Sequence, residues 1–440
     1  MSDGVADLPP VGERETAADW VVVGAGIVGL CTALRLRQLG HEVLLIDRRG
    51  VAAEASRGNA GACAYSDILP LASPGIFRQA PRWLLDSLGP LSIAPAYLLR
   101  ITPWLWRFWR ASQARQVAAS TRAQVALMRL ASQAMPRLMQ DVGAQDLLRT
   151  DGNLQLYESR AEWQASLVGW QVRAEHGFAF EHLHGAQAIA RWQPGLSPAF
   201  VAATWVPGWQ RIDDPLRLCE HIAAAFVAAG GRLRRGQAQA LVPSAGGVGV
   251  RLDGGQALQA QRVVVAAGAW SHQLARTLGD RIPLETERGY NTTLPAGAFD
   301  LRRQLTFGGH GFVVTPIAGG VRVGGAVELG GLQAPPNYRR AQALLDKARR
   351  FMPGLRTEGG TPWMGFRPSL PDSLPVIGPA GGDPRVLYAF GHGHLGLTQA
   401  AATAELVAGL ACGKPVGLDL TPFRAGRFKQ GLRAARDSPT

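Results

Sequence analysis

The 440-residue chain is 47 % hydrophobic and 18 % charged, which leaves room for two domains with a sizeable core and excludes a disordered or fibrous protein. Its four cysteines (Cys31, Cys63, Cys219, Cys412) are scattered without a C-x-x-C pair, so a disulfide framework and a zinc knuckle are excluded. The net charge of +13 does not argue for nucleic acid: among 46 basic residues only Lys347, Lys414 and Lys429 are lysine, and no basic block interleaves with aromatics.

In chain order, residues 1–17 are polar and acidic, without the basic start and apolar core of a signal peptide, and read as a flexible tail on an intracellular protein. No apolar run reaches the ~20 residues that a membrane-spanning helix needs. WVVVGAGIVG (20–29) then supplies a β-branched run ending in Gly24, Gly26 and Gly29 at G-x-G-x-x-G spacing. Val28, Cys31, Leu34 and Leu36 follow at helical intervals, and Gly40 is a natural stop. HEVLLID predicts a second strand ending in Asp47, about twenty residues after the glycines.

Strand, tight turn, helix, strand and acid is the context a dinucleotide site requires. Gly24 permits the turn, Gly26 lets the backbone approach a pyrophosphate, and Gly29 allows close packing of helix on strand. The helix N-terminus offers unpaired N–H groups to the phosphates, and Asp47 offers acceptors to a ribose. The motif does not choose between NAD and FAD.

The Gly/Ala/Ser-rich stretch 54–75 reads as a backbone-rich loop against a cofactor. Residues 80–150 read as mostly helical, and Trp83, Trp104, Trp106 and Trp109 form a stripe among leucines and arginines. That stripe reads as core, with a membrane face as the other reading. A strand, helix and strand follow from 151, then a helix capped by Asp213 or Asp214 with Pro215 in its first turn. QRVVVAAGAWS (261–271) predicts a buried strand, and 305–330 predicts antiparallel strands. WMGFRPSLPDSLPVIGP, the strand VLYAF and the loop FGHGHLG lead into a last helix from Thr398 to about Leu410, and 431–440 reads as a second tail.

In GHGH the two imidazoles are two apart on a loop with no acid nearby in sequence, so no metal is expected. The loop lies between a buried strand and a helix N-terminus, so its N–H groups can face an electron-rich group.

These pieces, in this order, resemble the D-amino acid oxidase/dehydrogenase family of flavoproteins, and most the bacterial D-amino acid dehydrogenases. The likeness spans nearly the whole chain. It rests on the glycine turn, SRGNAG (56–61), GNLQLY (152–157), VVVAAGAWS (263–271), ERGYN (287–291), RVGGAVEL (322–329), GFRPSLPDSLPVIG (365–378) and GHGHLGLT (391–398). Departures border the pocket: Leu370 and Ser373 replace a Thr and a Gly, His394 replaces a small polar residue, and Asp67 falls where tyrosine is common.

The resemblance implies an α/β fold: a Rossmann-like FAD-binding domain from 18–75, 207–284 and 367–430, and an α+β substrate domain on a mixed sheet from 76–206 and 285–366. It implies non-covalent FAD, contacted by Gly24, Gly26, Ile27, Val28, Gly29, Asp47, Arg48, Ser56, Asn59, Ala60, Gly61, Leu241, Ala267, Gly268 and Trp270. Arg367 and the run Gly393, His394, Leu395, Gly396, Leu397 and Thr398 complete that set.

The implied reaction is oxidation of a D-amino acid, or of a cyclic secondary amine such as D-proline or hydroxyproline, with hydride passing from Cα to flavin N5. Arg367 would clamp the substrate carboxylate, a role suited to a permanently charged bidentate guanidinium. Tyr290 would assist it or be a core tyrosine, and the residues leave open whether His394 lines the pocket. The implied electron acceptor is a quinone or respiratory-chain carrier, with peripheral contact to the inner membrane. The alternatives are a glycine/sarcosine-type oxidase using oxygen and a non-catalytic FAD-binding subunit.

Overall fold

The computed structural model describes residues 8–12, 17–73, 89 and 91–429. Trp83, most of both predicted tails and the expected boundary at 75/76 lie outside them.

The first strand, Ala17–Val23, pairs in parallel with Val43–Asp47 on one side and Ala257–Val265 on the other. Arg232–Arg235 and Val386–Phe390 extend this parallel core, and Gly247–Leu252 with Ala238–Ser244 adds an antiparallel flank, giving an eight-stranded sheet with Val376–Pro379. Val21, Val22, Val263 and Val264 are fully buried. A parallel sheet covered on both faces cannot use alternation, which is why these strands read as unbroken apolar runs.

One face packs on the helices Ile27–Gln38, Ala114–Asp141, Pro215–Ala228 and Gly396–Ala411. The helix Pro215–Ala228 is capped by Asp214, which accepts from the N–H groups of Leu216 (3.0 Å) and Arg217 (3.1 Å). Asp213 instead pairs with Arg149 at 2.6 Å.

The second sheet is nine-stranded and mixed. Its order is Thr361–Ser369, Glu285–Pro295, Gly320–Leu329, Phe312–Ile317, Gln304–Phe307, Asn153–Tyr157, Ala202–Val206 and Glu181–His184, mostly antiparallel. Leu91–Ile93 adds in parallel to Gly320–Leu329. The helix Arg339–Phe351 packs on its apolar face. A Rossmann-like α/β domain and an α+β domain are thus interleaved along the chain. Thr361–Ser369 runs through the expected boundary at 366/367, so Arg367 is carried by the substrate sheet.

The tryptophan stripe divides. In the helix Leu98–Ala111, Trp104 is buried and stacks on Phe108 with ring centroids 5.0 Å apart, whereas Trp106 and Trp109 are 51 % and 50 % exposed. Among the described residues no helix is long and apolar enough to cross a membrane.

Candidate functional site

A cavity of about 590 Å³ lies between the carboxyl ends of the parallel strands and the second sheet. At one end is the glycine turn. Gly24 has φ +109°, and a Cβ there would lie 2.4 Å from the Ala266 carbonyl oxygen. A Cβ on Gly26 would approach Ser56 Oγ to 3.3 Å; that hydroxyl accepts the Ile27 N–H at 3.0 Å. Gly29 does not line the cavity: its Cβ would fall 1.8 Å from the Gly24 carbonyl oxygen, so its absence sets how closely helix packs on strand. Ile27 and Val28 line the wall at the helix start.

Asp47 closes this end. Its carboxylate accepts the N–H groups of Ala25 (2.8 Å), Arg49 (2.8 Å) and Gly50 (3.0 Å), which fills three of roughly four acceptor positions and leaves one towards the cavity. Arg48 lays its guanidinium 3.6 Å from the ring centre of Trp270 and pairs with Glu54. Ala267, Gly268 and Trp270 line the same wall.

Two further residues expected at the cofactor do not line the cavity. Leu241 is buried in the core, its N–H bonded to Thr277 Oγ1 at 3.1 Å, and the cavity is lined instead by Gly236–Gln239 just before it in the chain. Gly61 lies off the cavity with φ +78°, and its carbonyl accepts the Ile212 N–H at 2.7 Å, so it fastens the loop to the strand Gln210–Ile212. The loop's cavity edge is Ser56, Gly58, Asn59 and Ala60. Asn291 holds that edge by donating to the Gly58 carbonyl at 2.8 Å, and Arg322 donates to that of Asn59. Burial pulls the Arg322 guanidinium down to about 10 against the opposing charge of Asp214. Neither residue stood out in the sequence, because an Arg or Asn on a strand carries no sign of which face it takes.

The other end holds the chemistry-bearing groups. Arg367 donates one Nη1–H to the Ala326 carbonyl at 3.0 Å, and its guanidinium lies over Gly289, where a Cβ would come 2.4 Å from Cζ. Burial lowers its pKa, and the charge of Glu287 opposes this. Tyr290 has its ring at the cavity wall, but its hydroxyl donates to Glu328 and accepts the Asn337 N–H at 3.0 Å. Arg288 also pairs with Glu328, at 3.0 Å. The tyrosine's one proton is therefore directed at Glu328, the arrangement of a core tyrosine, one of its two expected readings.

In the final loop the two imidazoles part. His392 is buried, shares a hydrogen bond with Thr403 Oγ1 at 2.9 Å, and is pushed down to about 3 by burial. His394 opens on the cavity and contacts Asp67 at 3.0 Å, with Arg173 3.8 Å from the same carboxylate. Among the described residues no group of three or more His, Cys, Asp or Glu side chains is placed to hold a metal. Thr398 ties the start of the last helix to the loop after the second strand, accepting from the Ala64 N–H and donating to the Ala62 carbonyl, both at 3.2 Å. The helix Gly396–Ala411 has no side-chain cap, and its first residues, with Gly393 and Leu395, border the cavity.

Burial works to lower the His394 pKa, but the hydrogen bond and charge of Asp67 raise it overall. Burial works to raise Asp67, and His394 and Arg173 bring it below its ordinary value. The ion pair is therefore complete between the depressed carboxyl pKa and the raised imidazole pKa. It is lost as pH rises through the imidazole's folded value or falls through the carboxyl's. Asp67→Asn should lower the His394 pKa in an NMR titration assigned with His394→Gln; an unmoved titration would rule out the pair.

The cradle fits FAD. Gly24, whose Cβ position is filled by backbone, Asp47 at the end of the second strand and an uncapped helix start all border one cavity.

The family model described as FAD dependent oxidoreductase matches residues 19–410. The chain is 35 % identical over 421 residues to a D-amino-acid oxidase of Bradyrhizobium diazoefficiens, covering 92 % of this chain and 98 % of that one. It is 29 % identical over 418 residues to a D-amino acid dehydrogenase of Rhizobium johnstonii, covering 93 % and 99 %. The fold is similar to that of glycine oxidase from Geobacillus kaustophilus, with a TM-score of 0.75, 20 % identity and coverage of 94 % and 99 %. A match across nearly the whole chain, on the residues that build this cavity, means that the protein belongs to the family of FAD dependent oxidoreductases.

Proposed function

We propose that this enzyme oxidises D-amino acids, or a related cyclic secondary amine, at the carbon bearing the amino group. The observation that carries the reading is Arg367: a charged guanidinium with one N–H bonded to Ala326 and the rest of its fork facing a cavity that also holds the dinucleotide cradle. A guanidinium so placed grips a carboxylate bidentately. The names of the relatives supply the D-amino acid.

When bound, FAD supplies the acceptor for the two electrons and the hydrogen leaving Cα. The glycine turn and the helix start at Ile27 hold its pyrophosphate, Asp47 a ribose, and Ala267–Trp270 the wall beside it. Arg367 fixes the substrate's orientation, which supplies much of the rate when the reacting carbon is held close. The start of the helix Gly396–Ala411 turns its positive dipole end into the cavity, where it stabilises negative charge.

FAD is held without a covalent bond. Cys219, which borders the cavity, has its thiol pushed well above the ordinary value by burial and by the charges around it, and a protonated thiol is a poor nucleophile. Anaerobic addition of D-amino acids should bleach the yellow protein, and acid precipitation should leave the colour in the supernatant. No bleaching with any D-amino acid or cyclic amine would refute the reading, and a yellow pellet the mode of attachment.

The electrons pass to a quinone or respiratory carrier at the cytoplasmic face of the inner membrane. Support comes from the exposed Leu98, Leu99, Trp106 and Trp109 of the helix Leu98–Ala111, which carries Arg100, Arg107 and Arg110 beside them. Flotation with anionic liposomes at low salt and little peroxide per turnover are expected. Stoichiometric peroxide with no flotation would make it a soluble oxidase.

A further inference from the structure

The strand Glu285–Pro295 pairs with Thr361–Ser369 so that Glu287 lies directly across from Arg367. Directly opposed residues project from the same face of a sheet, with Cβ atoms about 5 Å apart. Both side chains line the large cavity, and Glu287 also borders a smaller one beside it. Glu287 is 5 % exposed, yet makes no hydrogen bond or ion pair among the described residues. Its charge acts on both Arg367 and His394, so its carboxylate lies close to them without joining either.

A carboxylate that lines a cavity without a hydrogen-bond partner is open to a donor from a ligand. The neighbouring cations attract it without closing a hydrogen bond to it, for each is bonded elsewhere. Arg367 leans along the strand, over Gly289 and onto the Ala326 carbonyl, while His394 and Arg173 both face Asp67. The chamber therefore presents a cation and an anion side by side and unjoined.

We propose that Glu287 is a specificity residue that receives the amino nitrogen of the substrate while Arg367 receives its carboxylate. This rests on the amino acid reading above. Gly289, under the Arg367 head, is two residues from Glu287, about 7 Å along a strand. A carboxylate and an amino group on one carbon, each with a hydrogen bond of about 3 Å, bridge a gap of that order. A simple carboxylic acid leaves Glu287 unsatisfied and is rejected, and a second carboxylate near the amino group is repelled.

The test uses the FAD-loaded protein and two isosteric acids that it cannot oxidise. 2-Aminoisobutyrate has no hydrogen on Cα, and pivalate carries a methyl group in place of the nitrogen. Binding is followed by perturbation of the flavin absorbance. The wild type should bind 2-aminoisobutyrate at least about tenfold more tightly than pivalate, the worth of one charged hydrogen bond. Glu287→Gln should erase that preference by weakening the amino acid, with pivalate bound as well or better. If both ligands tighten together, Glu287 merely balances Arg367 and the proposal falls. It falls too if both weaken together, or if the wild type prefers pivalate, a result that needs no variant to fold. A flavin that no D-amino acid reduces, with the preference intact, would overturn the oxidation reading and still support Glu287 as the amine anchor.

Discussion

Arg367→Ala is expected to lose roughly 30- to 5,000-fold in kcat/KM on carboxylated substrates while its flavin absorbance stays that of the parent. The range converts the 2–5 kcal/mol that follows removal of one partner from a buried, hydrogen-bonded charge pair. Among the described residues the side chain makes one hydrogen bond, to the Ala326 carbonyl, and lies over a glycine, so its removal leaves the FAD cradle intact. Arg367→Lys should recover only part of the loss, because an ammonium cannot reproduce the planar fork. Stopped-flow reduction by substrate under nitrogen measures this. An alanine variant reduced as fast as the parent, at the same half-saturating concentration, would remove Arg367 from the site.

Gly29→Ala is expected to yield protein that loses its FAD on purification. The added Cβ would fall 1.8 Å from the Gly24 carbonyl oxygen and 3.4 Å from the Ala266 side chain, and the first of these is backbone that cannot rotate away. Overpacking of this kind costs typically about 1–3 kcal/mol. Here the relief would come from shifting the turn that cradles the pyrophosphate, so cofactor affinity should fall along with stability. The flavin-to-protein ratio after gel filtration reports it. Gly417→Ala, where no atom lies within 4 Å of the added carbon, is the control and should stay fully loaded. A fully yellow Gly29→Ala protein would show that helix and strand have slack the structure does not reveal.

The parts of this protein that were legible in its sequence are those decided within about thirty residues. The turn at 24–29 needs glycines for reasons local to it, and the helix behind it carries its own stop. The buried strands at 20–23 and 263–265 announce themselves because both faces of a parallel sheet demand apolar side chains. The choice between Asp213 and Asp214 as helix cap needed the backbone, since either could have reached the first turn.

The site is different. His394 and Asp67 are 327 residues apart in sequence, and a loop carrying imidazoles gives no hint that its acid comes from so distant a part of the chain. Tyr290 read equally well as a carboxylate donor or a core residue. Its hydroxyl is directed at Glu328 on the neighbouring strand, a partner that no local pattern announces. Leu241 and Gly61 missed the cavity by two residues and by one, because strand register and loop fastening set which backbone atoms face inward.

The residues by themselves determined a dinucleotide site at the turn 24–29 with Asp47, because short-range backbone geometry dictates it. FAD, the interleaved domains and a carboxylate clamp at Arg367 came only with the family resemblance, since an arginine on a strand carries no mark of its role. Only the tertiary structure decided which groups share the chamber with that arginine. Glu287 faces Arg367 because two strands from distant parts of the chain pair in one register. A shift of one residue would turn that carboxylate to the other side of the sheet.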